Sequence, residues 1–424
     1  MPRLARRGVA ALMLGAVVAL GACSSKNPER PAPLVKKLVQ RVHVRRVWHT
    51  RLSRDQPQLR VGLVVAVDAG RAFIASHNGR VEAIDLASGR RLWRTRVHAT
   101  LSGGPGAGAG VVVVGGAKGN LFALSQSDGR LRWQRRINAE ILSAPAVGKD
   151  FVVVRGVDGR LQAFATANGA DTWIAMQDVP RLSLRGTGMP ILDGDLAICG
   201  FDDGHVLAVE RSNGMLAWNA AVGQPHGTSE LQRLIDLDAP VVPAGDDLFA
   251  VAYQGRVARL DLSSGRIAWT HDFSSYRGLA LDDTALYVSG ADGTLIRLSR
   301  QNGAVQWQQR ILANRELSTP VIYHGELVVG DLDGWVHWFD PATGRYLARV
   351  RVGKSRISGP PLVAGDELLV FNDDGTLAAL RTSDAPVTLP APVTPPRPAA
   401  APTPAVPPAP AVPPAPAVPG AASR

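Results

Sequence analysis

The sequence predicts an all-β protein, an eight-bladed β-propeller with four antiparallel strands per blade. Three observations carry that prediction: a recurring Gly–Gly–Trp spacing, the division of each recurrence into short strand-like runs, and a strand missing at one end of the array that is supplied from the other. The spacing is a Gly, a second Gly ten residues later and a Trp four further on. It runs through Gly79–Gly89–Trp93, Gly119–Gly129–Trp133, Gly159–Gly169–Trp173, Gly204–Gly214–Trp218, Gly255–Gly265–Trp269 and Gly293–Gly303–Trp307. Successive Trp residues lie 40, 40, 45, 51 and 38 residues apart. Gly334 and Gly344 form a seventh unit with Ala348 in the Trp position, and Gly375 opens an eighth. A period of this size, with no sustained helical pattern, belongs to propeller blades.

Each unit reads as strands in order. An apolar run comes first, as in Val111–Val114 or Phe151–Val154. A turn pair follows, such as Asp158-Gly159 or Asp292-Gly293, supplying the positive φ that a tight hairpin needs. An alternating strand such as 160–164 leads to a second turn and the Trp strand, and a further strand begins near a Pro, as at Pro145 and Pro320. The eighth unit leaves the pattern after Leu380, without its Trp strand. Upstream of the first unit, Val47-Trp48-His49-Thr50-Arg51-Leu52 matches the Trp93 and Trp133 strands. Trp48 therefore completes the last blade and closes the ring, which removes the open sheet edges of a linear array. The Trp residues are expected to fill the wedges between neighbouring blades, each burial contributing a few kcal/mol, about 2–3.

The ends of the chain differ from the repeat. Three arginines (Arg3, Arg6, Arg7), an apolar run from Val9 to Leu20 and small residues before Cys23 make a secretory signal peptide over 1–22. The apolar run is short for a permanent span. Leu20-Gly21-Ala22-Cys23 resembles the bacterial lipobox, which implies an acylated Cys23 as the mature N-terminus; an ordinary cleaved signal with a chance cysteine is the plain alternative. Ser24 after the cysteine resembles the sorting pattern for the outer membrane. Residues 23–41 are then a lipid-anchored tether, 42–382 the propeller and 383–424 a Pro/Ala-rich tail that is expected to be disordered and polyproline-like. The formal charge of +11 falls to +8 once the three leader arginines are removed. No compact basic and aromatic nucleic-acid module accompanies it, so a basic surface is the reading and nucleic acid is not expected as a partner.

Catalytic chemistry is not apparent. There is no His-Glu-x-x-His, Cys-x-x-Cys or Gly-x-Ser-x-Gly, and no catalytic residue, metal ligand or cofactor is assigned. The glycine-rich run 104–110 does not fit a dinucleotide fingerprint; it opens a strand and reads as a flexible turn between blades. Asp331-Leu332-Asp333-Gly334 lacks the distal Glu of a calcium loop and reads as a hairpin turn. Cys199, in the apolar run Leu196-Ala197-Ile198-Cys199, reads as a small buried residue.

The blades resemble the quinoprotein-type propeller repeat, found in quinone-dependent dehydrogenases and in non-enzymatic relatives. With the lipobox, the stretch 226–240 and the stretch 325–338, the chain is similar to the BamB lipoprotein family of the outer-membrane β-barrel assembly machinery, over about residues 20–382. That resemblance implies a periplasm-facing scaffold on the outer membrane. It would bind the periplasmic repeats of BamA and aid folding and insertion of nascent outer-membrane proteins. The family's contact loops fall on Leu182, Leu184 and Arg185 and on Asp236 and Asp238. Two leucines beside an arginine suit an interface hot spot; packing of the leucines in their own blade, and salt bridges from the aspartates to Arg185 or Arg233, remain open. Two other functions also remain open, a quinone-dependent dehydrogenase and a cell-wall or polysaccharide-binding lipoprotein.

Overall fold

The computed structural model describes residues 30–52, 62–180, 182, 188–223, 228–229 and 234–383. The expectations for the leader, for Cys23, for Leu184 and Arg185 and for the Pro-rich tail lie outside these residues. Eight antiparallel sheets follow one another around a ring: blades 1 to 7 span 66–96, 101–136, 146–176, 191–221, 242–272, 279–309 and 321–351. Blade 8 takes three strands from 362–383 and its fourth from His43–Arg51. The closing pair is antiparallel, from His43 opposite Ser383 to Arg51 opposite Thr376. The predicted count and the predicted closure by the Trp48 strand are both observed.

The strands of a blade differ in burial as their places require. In blade 3 the second and third strands, Phe151–Arg155 and Arg160–Ala165, are buried along most of their length. The outer strand Asp171–Met176 buries only Trp173 and leaves Asp171, Thr172, Ile174 and Met176 exposed. The same single buried Trp recurs in Arg91–Arg96 and Leu131–Arg136.

Each Trp joins its blade to the next. The indole N–H of Trp133 donates to the Thr166 carbonyl at 2.9 Å, and that of Trp93 to Gln126 at 2.8 Å. Trp48, Trp173, Trp218, Trp269 and Trp307 make the equivalent bond to Leu86, Arg211, Leu262, Arg300 and Pro341. The second Gly of each unit has its reason here. Gly169 turns at φ +70° directly against the Trp133 ring, and an added Cβ would stand 2.7 Å from it. Only a glycine combines that left-handed turn with so close an approach.

One departure from expectation and one break in the repeat are informative. The glycine-rich run is not a flexible turn: 101–108 form the inner strand of blade 2, Leu101–Gly108, mostly buried. A Cβ on Gly106 would sit 1.9 Å from the Pro145 carbonyl oxygen, so the glycines let this strand lie against the backbone of blade 3. Gly62–Leu63 adds a short parallel strand to the same sheet. The break in the repeat is Ala348, which is buried where the other blades carry Trp. The blade that follows it, blade 8, takes its outer strand from the N-terminal side. It has no covalent hairpin and glycine for a Trp to cover.

Candidate functional site

Four is an even number of strands, so every blade-to-blade connection leaves and enters on one face of the ring, together with the turn between the second and third strands. We call this the loop face. Its hydrogen bonds bear out the topology: Leu237 N–H donates to the Phe201 carbonyl at 3.3 Å, and Asn314 N–H to Asp292 at 2.7 Å, each a connection meeting a turn. Leu182, in the connection from blade 3 to blade 4, and 236–238, in the connection from blade 4 to blade 5, share this face.

The segment around Asp236 is pinned by its backbone. Asp236 pairs with Tyr253 as an isolated antiparallel bridge, with Tyr253 N–H on the Asp236 carbonyl at 2.7 Å. Its side chain is fully buried, and Asp238 is partly so. Asp202, in the turn of blade 4, brings a third carboxylate; oxygens of Asp202, Asp236 and Asp238 lie within 4.8 Å of one another. Those distances suit a shared cation, and the fold brings one as a side chain. Arg155 ends the second strand of blade 3 with 0% exposure, its Nη2 3.3 Å from Asp202 Oδ1 and its guanidinium 4.1 Å from the centre of the Phe201 ring. Arg277, in the connection from blade 5 to blade 6, donates to the Ser358 carbonyl at 2.9 Å.

Burial pushes the Asp238 carboxyl above the usual carboxylate range. A hydrogen bond with Asp236 pulls it down, the Asp202 charge pushes it up, and Arg155 and Arg277 oppose the rise. The net direction is upward because burial, helped by the Asp202 charge, outweighs the hydrogen bond and the two arginines. Cys199, beneath this cluster, is fully buried, and burial raises its thiol to about 12. It has the inert, small-residue character expected of it.

The residues singled out from the sequence thus separate into two kinds. Leu182 is 44% exposed in the connection from blade 3 to blade 4. Asp236 is fully buried, its carboxylate gathered with those of Asp202 and Asp238. Of the cations proposed to pair with the aspartates, Arg185 and Arg233 lie outside the described residues; Arg155 and Arg277 are the cations whose charges act on Asp238. Sequence reasoning missed Arg155 and Asp202, although a signal was present. Four residues before the first Gly of each unit stand Ala75, Gly115, Gly200, Val251, Ser289, Gly330 and Phe371, and in one unit Arg155. A lone charge in an uncharged column marks a place the repeat does not explain.

A family described as outer membrane protein assembly factor BamB matches residues 40–100 and 77–309. The BamB of Pseudomonas aeruginosa is 46% identical over 370 residues, covering 87% of this chain and 97% of that protein. The chain belongs to the BamB family. The crystal structure of BamB from Moraxella catarrhalis superimposes with a TM-score of 0.75 at 26% identity, over 80% of this chain and all of that one. A quinohemoprotein alcohol dehydrogenase from Comamonas testosteroni gives a TM-score of 0.62 at 13% identity, covering 80% of this chain and 76% of that one, a likeness of fold alone. BamB relatives thus match along the propeller.

Proposed function

We propose that the protein is a non-enzymatic scaffold of the outer-membrane protein assembly machinery. It is anchored to the outer membrane by an acylated Cys23, faces the periplasm and binds the periplasmic repeats of BamA. The observation that carries the reading is the loop face, which bears an exposed apolar Leu182 and, on the next connection, Asp236 and Asp238 gathered with Asp202, itself 3.3 Å from Arg155. A partner-binding surface needs apolar anchors on a backbone that does not rearrange. The names of the relatives supply the class of assembly in which such a surface works.

The test is affinity capture of the lipidated protein from membranes. BamA is expected among the captured proteins, and its absence overturns the reading. Leu184→Ala with Arg185→Ala is expected to weaken capture at an unchanged thermal midpoint; a large fall in the midpoint would make these residues packing groups. Stoichiometric binding of an added quinone with Ca²⁺, together with alcohol oxidation, would replace the scaffold by a dehydrogenase. Loss of localisation on deleting 384–424 would favour a cell-wall-binding lipoprotein.

A further inference from the structure

The segment leading into the ring-closing strand is docked on the outside of the propeller. Ala32 N–H donates to the Ala313 carbonyl at 2.9 Å, and Arg315 Nη1 donates back to the Ala32 carbonyl at 3.0 Å. Leu34 and Leu38 pack on the core that includes Leu312, Leu317 and Tyr346. Arg41 N–H then donates to the Leu347 carbonyl at 2.8 Å, and His43 begins the closing strand. Ala313 and Arg315 lie in the connection between blades 6 and 7, on the loop face. Leu347 lies near the start of the outer strand of blade 7, Tyr346–Arg351, at the opposite face. The chain therefore meets the ring at the loop face, descends its outer side and turns back up as His43–Arg51.

The docking point is built, not incidental. Arg315 is 4% exposed. Its Nε and Nη2 bind Asp331 at 2.8 and 2.7 Å, and Nη2 also reaches Asp333 at 2.6 Å, which leaves Nη1 aimed at the tether. Asn314 and Glu316 on either side adopt φ of +57° and +47°. Non-glycine residues hold that left-handed conformation only where the surroundings enforce it.

We propose that residues 32–41 are a fixed strap that delivers the anchored N-terminus to the loop face at blades 6 and 7. The propeller then presents that face to the membrane surface, and with it Leu182 and the Asp236–Asp238 connection. The inference rests on the reading of Cys23 as the acylated residue. Cys23 precedes Ala32 by nine residues, which reach roughly 30 Å at full extension. Presenting the opposite face would spend about 20 Å of that reach on the height of a six-residue strand and leave about 10 Å of slack, so the loop face is the one the leash favours.

Two measurements test the strap and the anchor separately. In a soluble Cys23→Ser protein, spin labels at Lys26→Cys and Lys354→Cys, a pair ending on the loop face, are expected to give a shorter and narrower distance distribution than Lys26→Cys with Ala342→Cys on the opposite face. Arg315→Ala should broaden the first distribution. Equal distances, or a shorter one to Ala342→Cys, overturn the strap. Both label sites are exposed and Cys199 is buried, so it does not compete for label. In the full lipidated chain on phosphatidylethanolamine–phosphatidylglycerol vesicles, a fluorophore at Lys354→Cys should be quenched by headgroup quenchers several-fold more than one at Ala342→Cys. Insertion of about twenty Gly/Ser residues after Lys26 should erase the difference by lengthening the leash. Equal quenching in the chain of natural length overturns the orientation. The mass of the N-terminal peptide reports acylation directly: an unmodified Cys23 beside short label distances keeps the strap and overturns the membrane-facing orientation.

Discussion

The seams between blades and the centre of the loop face are held by opposite kinds of chemistry. A seam is apolar, local and repeated: one Trp, one carbonyl and one glycine, seven times around the ring. The loop face is charged and assembled once, from Arg155 of blade 3, Asp202 of blade 4, the Asp236–Asp238 connection and Arg277. The repeat supplies rigidity. What breaks the repeat supplies whatever distinguishes this propeller from any other. Seam variants should therefore lose stability first, and loop-face variants should lose partner binding first.

Trp133→Ala gives the largest expected effect. It empties a buried wedge and orphans the Thr166 carbonyl, at a cost of about 3–5 kcal/mol in chemical denaturation. Capture of BamA by the fraction that remains folded should be unchanged; a selective loss of capture would break the division between seam and face. Gly169→Ala should cost about 1–3 kcal/mol, because the new methyl must occupy a left-handed turn against the same indole. A neutral result would mean that the Gly–Trp stacking is not what fixes the spacing.

Asp238→Asn sharpens the comparison through pH. The folded protein holds the Asp238 proton to higher pH than the unfolded chain does, so native stability declines as pH rises from the ordinary carboxylate range through the raised value. Asparagine cannot ionise. The difference in thermal midpoint between pH 5 and pH 8 should therefore shrink in the variant, and an unchanged difference would remove Asp238 as the source. Leu182→Ala is expected to shift stability by no more than about 0.5 kcal/mol while weakening BamA capture.

The periodic part of the molecule was legible because its cause is local. A glycine ten residues after another marks the place where the preceding blade's Trp lies, and that requirement recurs with every blade. Ala348 breaks the pattern for a reason that only the closed ring reveals, since blade 8 has no hairpin beneath that position. The glycine-rich run was misread because close approach to a neighbouring strand and freedom to turn call for the same residue; burial of 101–106 decides between them. The central cluster was harder still. Its members come from two blades and from two connections between blades, so no spacing relates Arg155 to Asp236. Asp331 is a second aperiodic charge, standing where other units carry Ser76, Gly116, Gly156, Phe201, Ala252, Gly290 and Asn372. It anchors Arg315 and His337, the hydrogen bond to His337 being 3.0 Å. Burial works to raise its carboxyl, yet His337, the Trp335 N–H and Arg315 together hold it below the usual range. Charges that violate a column of the repeat were the readable trace of both clusters.

The pairing of His43–Arg51 with Thr376–Ser383 sets a timetable for biogenesis. The strand that is synthesised first finds its partner only when the last blade has been made. Until then the nascent ring has two unsatisfied edges and a leading strand with nothing to pair with. Closure is the contact of greatest sequence separation, hence a late and slow event. A chaperone that shields exposed strand edges would matter most in that interval, and truncation anywhere in blade 8 should strand the chain there permanently.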